Sequence, residues 1–287
     1  MVQLKQPTTY NQQIDKLRLR GCFIPDEPFC AKILSQVNYY RLTAYFLPFK
    51  QADGNYVPGT DFNSIYEIYE FDRKLRNLLF ASIEEVEIFL RAKFSYYHAH
   101  EYGATGYLNA ANYNNRHKHD IFQKRIDTEI KNNENVLFVK HHKNNYGGQF
   151  PIWVITELFT FGMLSYFYSD LPPSDQKQLA RNMFNTTHKN LASWLRCCTD
   201  LRNICAHYGR LYFRVFSAIP VNMPELSSKS SRSLFGAVLV LKTLYPDKEK
   251  WNGEAHPKLV HLVKSYSHFI KLNHIGFPAD WEIKLMK

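Results

Sequence analysis

The sequence predicts an all-α protein: a helical bundle with a helical module before it and a helical extension after it. Three observations predict this. Apolar residues recur at three- and four-residue intervals over three long stretches, 62–97, 151–168 and 189–216. No alternating run is long enough to build a sheet. The chain has 287 residues, 45% hydrophobic and 15% aromatic, enough to fill a substantial core. The expected organisation is an N-terminal, tyrosine-rich helical module at 1–58, a helical core at 59–216 and a C-terminal helical extension at 217–287. A polar, basic insertion at about 101–148 interrupts the core.

Taken in order, residues 10–20 read as a short basic helix closed by Gly21, a favoured residue after a helix C-terminus. Pro25-Asp26-Glu27-Pro28 starts a second helix, whose apolar stripe is Phe29, Ile33, Leu34 and Val37. The segment 37–46 is aromatic with Arg41 embedded beside Tyr39 and Tyr40. Aromatic rings next to arginine stack on exposed bases, and tyrosines also pack between helices. Residues 48–61, with Gly54, Asn55, Pro58 and Gly59, form a loop or small hairpin.

The stretch 62–97 is one long amphipathic helix or two end to end, buried along Ile65, Ile68, Tyr69, Leu75, Leu78, Leu79, Ile83, Val86 and Leu90. Residues 101–148 hold His117, His119, His141 and His142. No cysteine or paired acid stands at ligand spacing from them, so no metal site is expected; the basic residues there suit phosphates. A helix is expected at 120–131. The stretch 151–168 is apolar nearly all round, short for a bilayer span and carries Glu157 near its middle. It reads as a helix buried in the protein. A carboxylate there needs a partner, and Arg202 on a neighbouring helix is the expected one. A short helix at 174–183, the central helix at 189–216, an apolar helix at 234–244 and helical pieces at 257–272 and around Trp281 complete the chain. Pro220, Pro224 and a serine-rich run at 227–233 separate the last group.

The formal net charge of +10 and pI of about 9.2 favour an acidic partner, nucleic acid or a membrane surface. Five cysteines without a C-x-x-C pair suggest reduced thiols and a cytoplasmic protein. The N-terminus lacks the apolar core of a signal peptide. No phosphate loop, dinucleotide fingerprint, metalloprotease helix or nucleophile elbow occurs, so no cofactor is expected.

One run stands out: Asp200-Leu201-Arg202-Asn203-Ile204-Cys205-Ala206-His207-Tyr208-Gly209-Arg210. On a helix, Leu191, Trp194, Leu195, Cys198, Leu201, Ile204, Cys205, Tyr208, Leu211, Tyr212 and Val215 form the buried face. Arg196, Asp200, Asn203, His207, Arg210 and Arg214 fall together opposite. Arg202 projects from the edge between. A histidine, a carboxamide and a row of guanidinium groups make a poor solvent face and a plausible anion site.

Arg202-Asn203…His207 resembles the R-x4-6-H signature of HEPN ribonucleases, and more narrowly the Abi-like proteins (AbiD/AbiF type). Arg91…His98 and Arg181…His188 match the same loose spacing, and Arg181-Asn182 shares the Arg-Asn start. The surrounding blocks decide for Arg202. They are the tyrosine-rich segment, Asp72-Arg73-Lys74-Leu75-Arg76, Glu84 to Arg91, and Trp153, Glu157, Phe161-Gly162, Leu164-Ser165. The resemblance runs from about Leu17 to Phe216.

It implies a HEPN-like bundle and a metal-independent endoribonuclease of phage defence, leaving 2′,3′-cyclic phosphate and 5′-hydroxyl ends. Arg202, Asn203 and His207 would be catalytic, with Glu157 supporting. Arg196, Tyr208, Arg210, Arg214, Tyr39, Tyr40 and Arg41 would meet RNA. One chain supplies one convincing histidine, so the resemblance also implies a homodimer with two sites facing each other, and a small structured noncoding RNA as a second partner. No membrane partner is expected. Two other classes remain open: a non-catalytic protein that holds such an RNA, and a helical protein–protein interaction domain.

Overall fold

The computed structural model describes residues 4, 6–228 and 230–286. Residues 1–3 and 5, which carry part of the N-terminal reading, and Lys229 of the serine-rich run lie outside them. The described chain is all-α: only two isolated bridges, Phe23 with Asp61 and Lys50 with Tyr56, interrupt its helices and loops. No described helix is long and apolar enough to cross a membrane.

Helices α1 (Tyr10–Leu19), α2 (Glu27–Gln36) and α3 (Tyr39–Thr43) come first. A reciprocal capping box of Thr9 and Gln12 starts α1, and Gly21, at φ +84°, turns the chain after it. Asp26 caps α2 through the N–H of Phe29, with Pro28 in the first turn.

The stretch beginning at Phe62 is a single helix, α4 (Phe62–Tyr102), of 41 residues. It extends about 60 Å. Asp61 caps its start and Gly103, at φ +79°, ends it. Its buried stripe, Ile65, Ile68, Phe71, Leu75, Leu79, Ile83, Val86, Leu90 and Phe94, is the axis of the core.

The insertion holds α5 (His119–Asn132) and α6 (Leu137–Asn145). Its histidines bond to the chain itself: His117 to Asp170 at 2.9 Å and to His119 at 3.1 Å, His119 to the Leu108 carbonyl at 3.0 Å, and His142 to the Gln149 carbonyl at 3.0 Å.

The stretch 151–168 is not one helix. It breaks into α7 (Ile152–Ile155), a 3-10 turn (Thr156–Leu158) and, after an extended Phe159, α8 (Phe161–Asp170). Thr160 makes the break: its hydroxyl accepts the N–H of Met163 at 3.2 Å and starts a new helix.

Next come α9 (Pro173–Phe184) and α10 (His188–Ala206), the latter packed on α4, α8, α9 and α11 (Leu234–Leu244). Helix α11 is buried on nearly every side. Helix α12 (Lys248–Lys250) passes through a π-helical turn at Trp251–Ala255 into α13 (His256–Ser265), shorter than the stretch expected to 272. Helix α14 (Trp281–Met286) closes the chain, with Trp251 donating to the Leu285 carbonyl at 2.8 Å.

Candidate functional site

Helix α10 begins where the Thr187 hydroxyl accepts the N–H of Asn190. Its buried face is Leu191, Trp194, Leu195, Cys198, Leu201 and Cys205. Burial raises all of the flanking thiols, Cys205 to about 12, so they pack as small apolar groups and offer no thiolate.

The helix stops at Ala206, ten residues short of the expected end at Phe216, so the polar face divides. His207 is the cap residue, Tyr208 turns left-handed at φ +54°, and the Gly209 N–H returns to the Ile204 carbonyl at 2.7 Å. Position 209 takes glycine because a Cβ would stand 3.0 Å from Ile204 Cγ2 and 3.1 Å from its carbonyl oxygen.

What ends the helix is a carboxylate on α4. Asp72, fully buried, accepts the N–H of Leu211 at 3.1 Å and of Tyr212 at 2.7 Å, the Tyr45 hydroxyl at 2.7 Å, and the Arg76 guanidinium. Burial pushes the Asp72 carboxyl up, and Arg76 with the three other donors opposes that. Arg76 also reaches the Gly209 carbonyl at 3.3 Å, and Arg41 of α3 donates to the Tyr208 carbonyl at 2.7 Å. The segment after His207 is therefore fixed from both α4 and α3.

On this base sits an open cleft of about 340 Å³, lined by Asp200, Asn203, Ile204, His207, Gly209, Arg214 and Ser217. Asn203 and His207 lie one helical turn apart and are exposed, and neither side chain bonds to another described residue. An imidazole and a carboxamide are thus free in a cleft with one guanidinium, Arg214. Asp200 turns one oxygen to the Ala218 N–H at 3.1 Å. The guanidinium and carboxamide can bind a phosphate diester, and the imidazole can take a proton from a hydroxyl beside it or give one to a leaving oxygen.

The other candidates scatter. Arg202 does not line the cleft. Five residues before His207, it lies about 140° around the helix. Its Nε sits 3.5 Å from Glu87 Oε2 on α4, an ion-pair contact without hydrogen-bond geometry. Arg91 holds the other Glu87 oxygen at 2.6 Å and the Phe159 carbonyl at 2.8 Å. The expected Arg202–Glu157 pair is absent: Glu157 is exposed and joins no ion pair among the described residues. The break before α8 turns it outward, and Glu87 is the carboxylate that faces Arg202.

Arg210, beyond the helix end, donates to the Tyr212 and Phe213 carbonyls at 2.6 and 3.1 Å. Arg196 lines a separate cavity at the start of α10. Tyr40 and Tyr208 are well exposed, and Tyr39 is half-buried. At the looser match Arg91…His98, His98 is fully buried with neither ring nitrogen partnered. Burial pushes it down to about 4, so it stays neutral inside the core.

Sequence reasoning did not assign Asp72, Arg76, Tyr45 or Glu87 to the site. A signal existed: Asp72 stands in the apolar register of Ile68, Leu75 and Leu79, with Arg76 one turn on. A polar pair on a core stripe marks a buried network.

A sequence model of the family described as Abi-like protein matches residues 32–213. That span contains α3, the Asp72 network, the Glu87 pair and the His207 cleft except for Arg214 and Ser217, which follow it. No curated protein and no solved structure matches the chain significantly.

Proposed function

The chain belongs to the Abi-like protein family, and from that premise we propose a HEPN-type, metal-independent endoribonuclease of the AbiD/AbiF type, acting in phage defence by abortive infection. The observation that carries the reading is the pairing of a free His207 and a free Asn203 in an open cleft whose far edge is anchored by a buried carboxylate.

In the proposed reaction a base takes the proton of the ribose 2′-hydroxyl, and the 2′-oxygen attacks phosphorus. The bond to the 5′-oxygen breaks, and an acid protonates that oxygen. The products are a 2′,3′-cyclic phosphate and a 5′-hydroxyl. His207 is the proton carrier, Asn203 orients it or the phosphate, and guanidinium groups offset the charge of the phosphorane. Base and acid at once require two histidines, so the active species is a two-fold dimer that brings two His207 side chains together. Arg214 serves within its own cleft; Arg202, on the flank of α10, serves across the dimer.

The test is incubation of purified protein with total RNA in EDTA, wild type beside His207→Ala. Cleavage by the wild type alone, with cyclic phosphate ends, is the expected result; intact RNA in both sinks the nuclease.

One observation favours a second reading. Arg202 is engaged by Glu87 instead of lining the His207 cleft. That suits a non-catalytic protein that holds a small structured noncoding RNA. Tight RNA binding without new product ends would select it.

A further inference from the structure

The junction of α9 and α10 opens into a cavity of about 1100 Å³ whose charged lining has one sign. Lys177 and Arg181 reach it from α9, and His188, Lys189 and Arg196 from α10. Among the described residues no carboxylate lines it, and none of these four lysines and arginines forms an ion pair. All four are exposed. Lys177 and Arg181 stand one turn apart, a like-charge pair that opposes its own helix. Such a concentration of uncompensated charge favours an anionic ligand.

Three further features say which anion. The lining also carries Ile219 and Val221, each 43% exposed, and Asn222, whose amide is held by Asn190 at 2.8 Å. Apolar and carboxamide groups flanking cations suit bases and sugars along a strand, more than a lone inorganic ion. The fold also brings together the two ends of the second Arg-Asn…His match, since Arg181 and His188 line one cavity. Finally, Arg196 lies on the same face of α10 as Asn203 and His207. It stands three turns before His207, about 16 Å along the axis, which a few nucleotides of single strand cover.

We infer that this cavity is a second RNA-backbone site, which grips the strand flanking the segment held at the His207 cleft. The inference rests on the RNA reading given above. Phosphates meet Lys177, Arg181, Lys189 and Arg196, and a base or ribose lies against Ile219 and Val221. Along α10 between Arg196 and His207 the one acidic residue is Asp200, and one of its oxygens is engaged by Ala218.

The experiment measures binding by the full chain of fluorescent 2′-O-methyl oligouridines, which 2′-oxygen attack cannot cleave. A 4-mer and a 14-mer are titrated over a salt series. The variant combines Lys177→Gln, Arg181→Gln and Lys189→Gln, and a charge-matched control combines Lys16→Gln, Lys32→Gln and Lys258→Gln. All six positions are exposed, so folding is spared. The expected result is 14-mer affinity lowered about tenfold or more, with the salt slope reduced by about 2, in the cavity variant alone. The 4-mer, held at the His207 cleft, keeps its affinity in all three proteins. A cavity variant indistinguishable from wild type overturns the inference, as does an equal loss in the control. A wild type that binds neither oligonucleotide at any salt overturns the RNA reading, and the cavity site with it.

Discussion

The Asp72 carboxylate accepts the backbone N–H of Tyr212 at 2.7 Å, so the N-terminal third of α4 determines where the chain goes after His207. Asp72→Ala leaves the Arg76 guanidinium buried without its anion and two backbone N–H groups unpaired. A loss of about 3–5 kcal/mol is expected in urea unfolding. The double replacement Asp72→Leu with Arg76→Leu recovers part of that loss. If both proteins unfold at the wild-type midpoint, the network does not hold the segment.

Glu87 and Glu157 separate cleanly in the same assay. Glu87→Gln removes the charge between Arg91 and Arg202 and is expected to lower stability by about 1–3 kcal/mol. Glu157→Gln, at an exposed position, stays within about 0.5 kcal/mol of wild type. The reverse order would restore Glu157 as the partner of Arg202.

His207→Ala and Asn203→Ala change exposed side chains that bond to no described neighbour. Both variants keep the wild-type melting temperature. On the proposed nuclease reading, His207→Ala is expected to lower RNA cleavage by about 10²–10⁴-fold, the range for a lost acid–base group. A melting temperature that falls together with activity would assign His207 to structure.

Subunit exchange tests the dimer. Arg202→Ala and His207→Ala homodimers are each expected to be nearly inactive, and excess His207→Ala mixed into wild type should lower activity beyond simple dilution, because a mixed dimer holds only one His207. Light scattering showing a monomer, with and without RNA, at a concentration where cleavage runs at full rate would remove the composite site.

Stability against pH reports on His98. Its folded value is pushed down to about 4, against about 6.5 in the unfolded chain, so the unfolded state binds the proton first. Its contribution is fully present above pH 6.5, falls as pH drops, and is gone near pH 4. The total is roughly 3 kcal/mol. His98→Leu should flatten that part of the profile relative to wild type, measured by urea unfolding at pH 7.5, 6, 5 and 4.

Local signals made most of the fold legible. The run 234–244 gives α11 at its observed bounds because its apolar composition and its serine boundary are both local. The end of α10 was not legible. Leu211, Tyr212 and Val215 continue the helical spacing, while the group that ends the helix is 139 and 140 positions away, on α4. The break at Thr160 was hidden in the same way, inside an apolar run whose period it barely disturbs. The misassigned Glu157 follows from that break: a carboxylate within an unbroken buried helix requires a cation, and this helix is broken. At the site, Asn203 and His207 were legible because one turn of regular helix sets their geometry. Arg202 lies on the same helix, but a partner on α4 decides where its guanidinium goes.

The unbroken length of α4 has a consequence for how the molecule comes apart. Tyr45 from the 3-10 turn after α3, Tyr212 from beyond the cleft, Tyr266 through Lys74 and Lys250 through Glu85 all fasten to this one rod, and Asp175 of α9 joins it at Tyr102. None of these segments can loosen without unfastening part of a helix that the others also hold. The chain should therefore melt in a single sharp transition. Truncation before α11 should abolish folding of the whole protein, because α4 and α10 would lose a buried apolar partner that no other segment replaces.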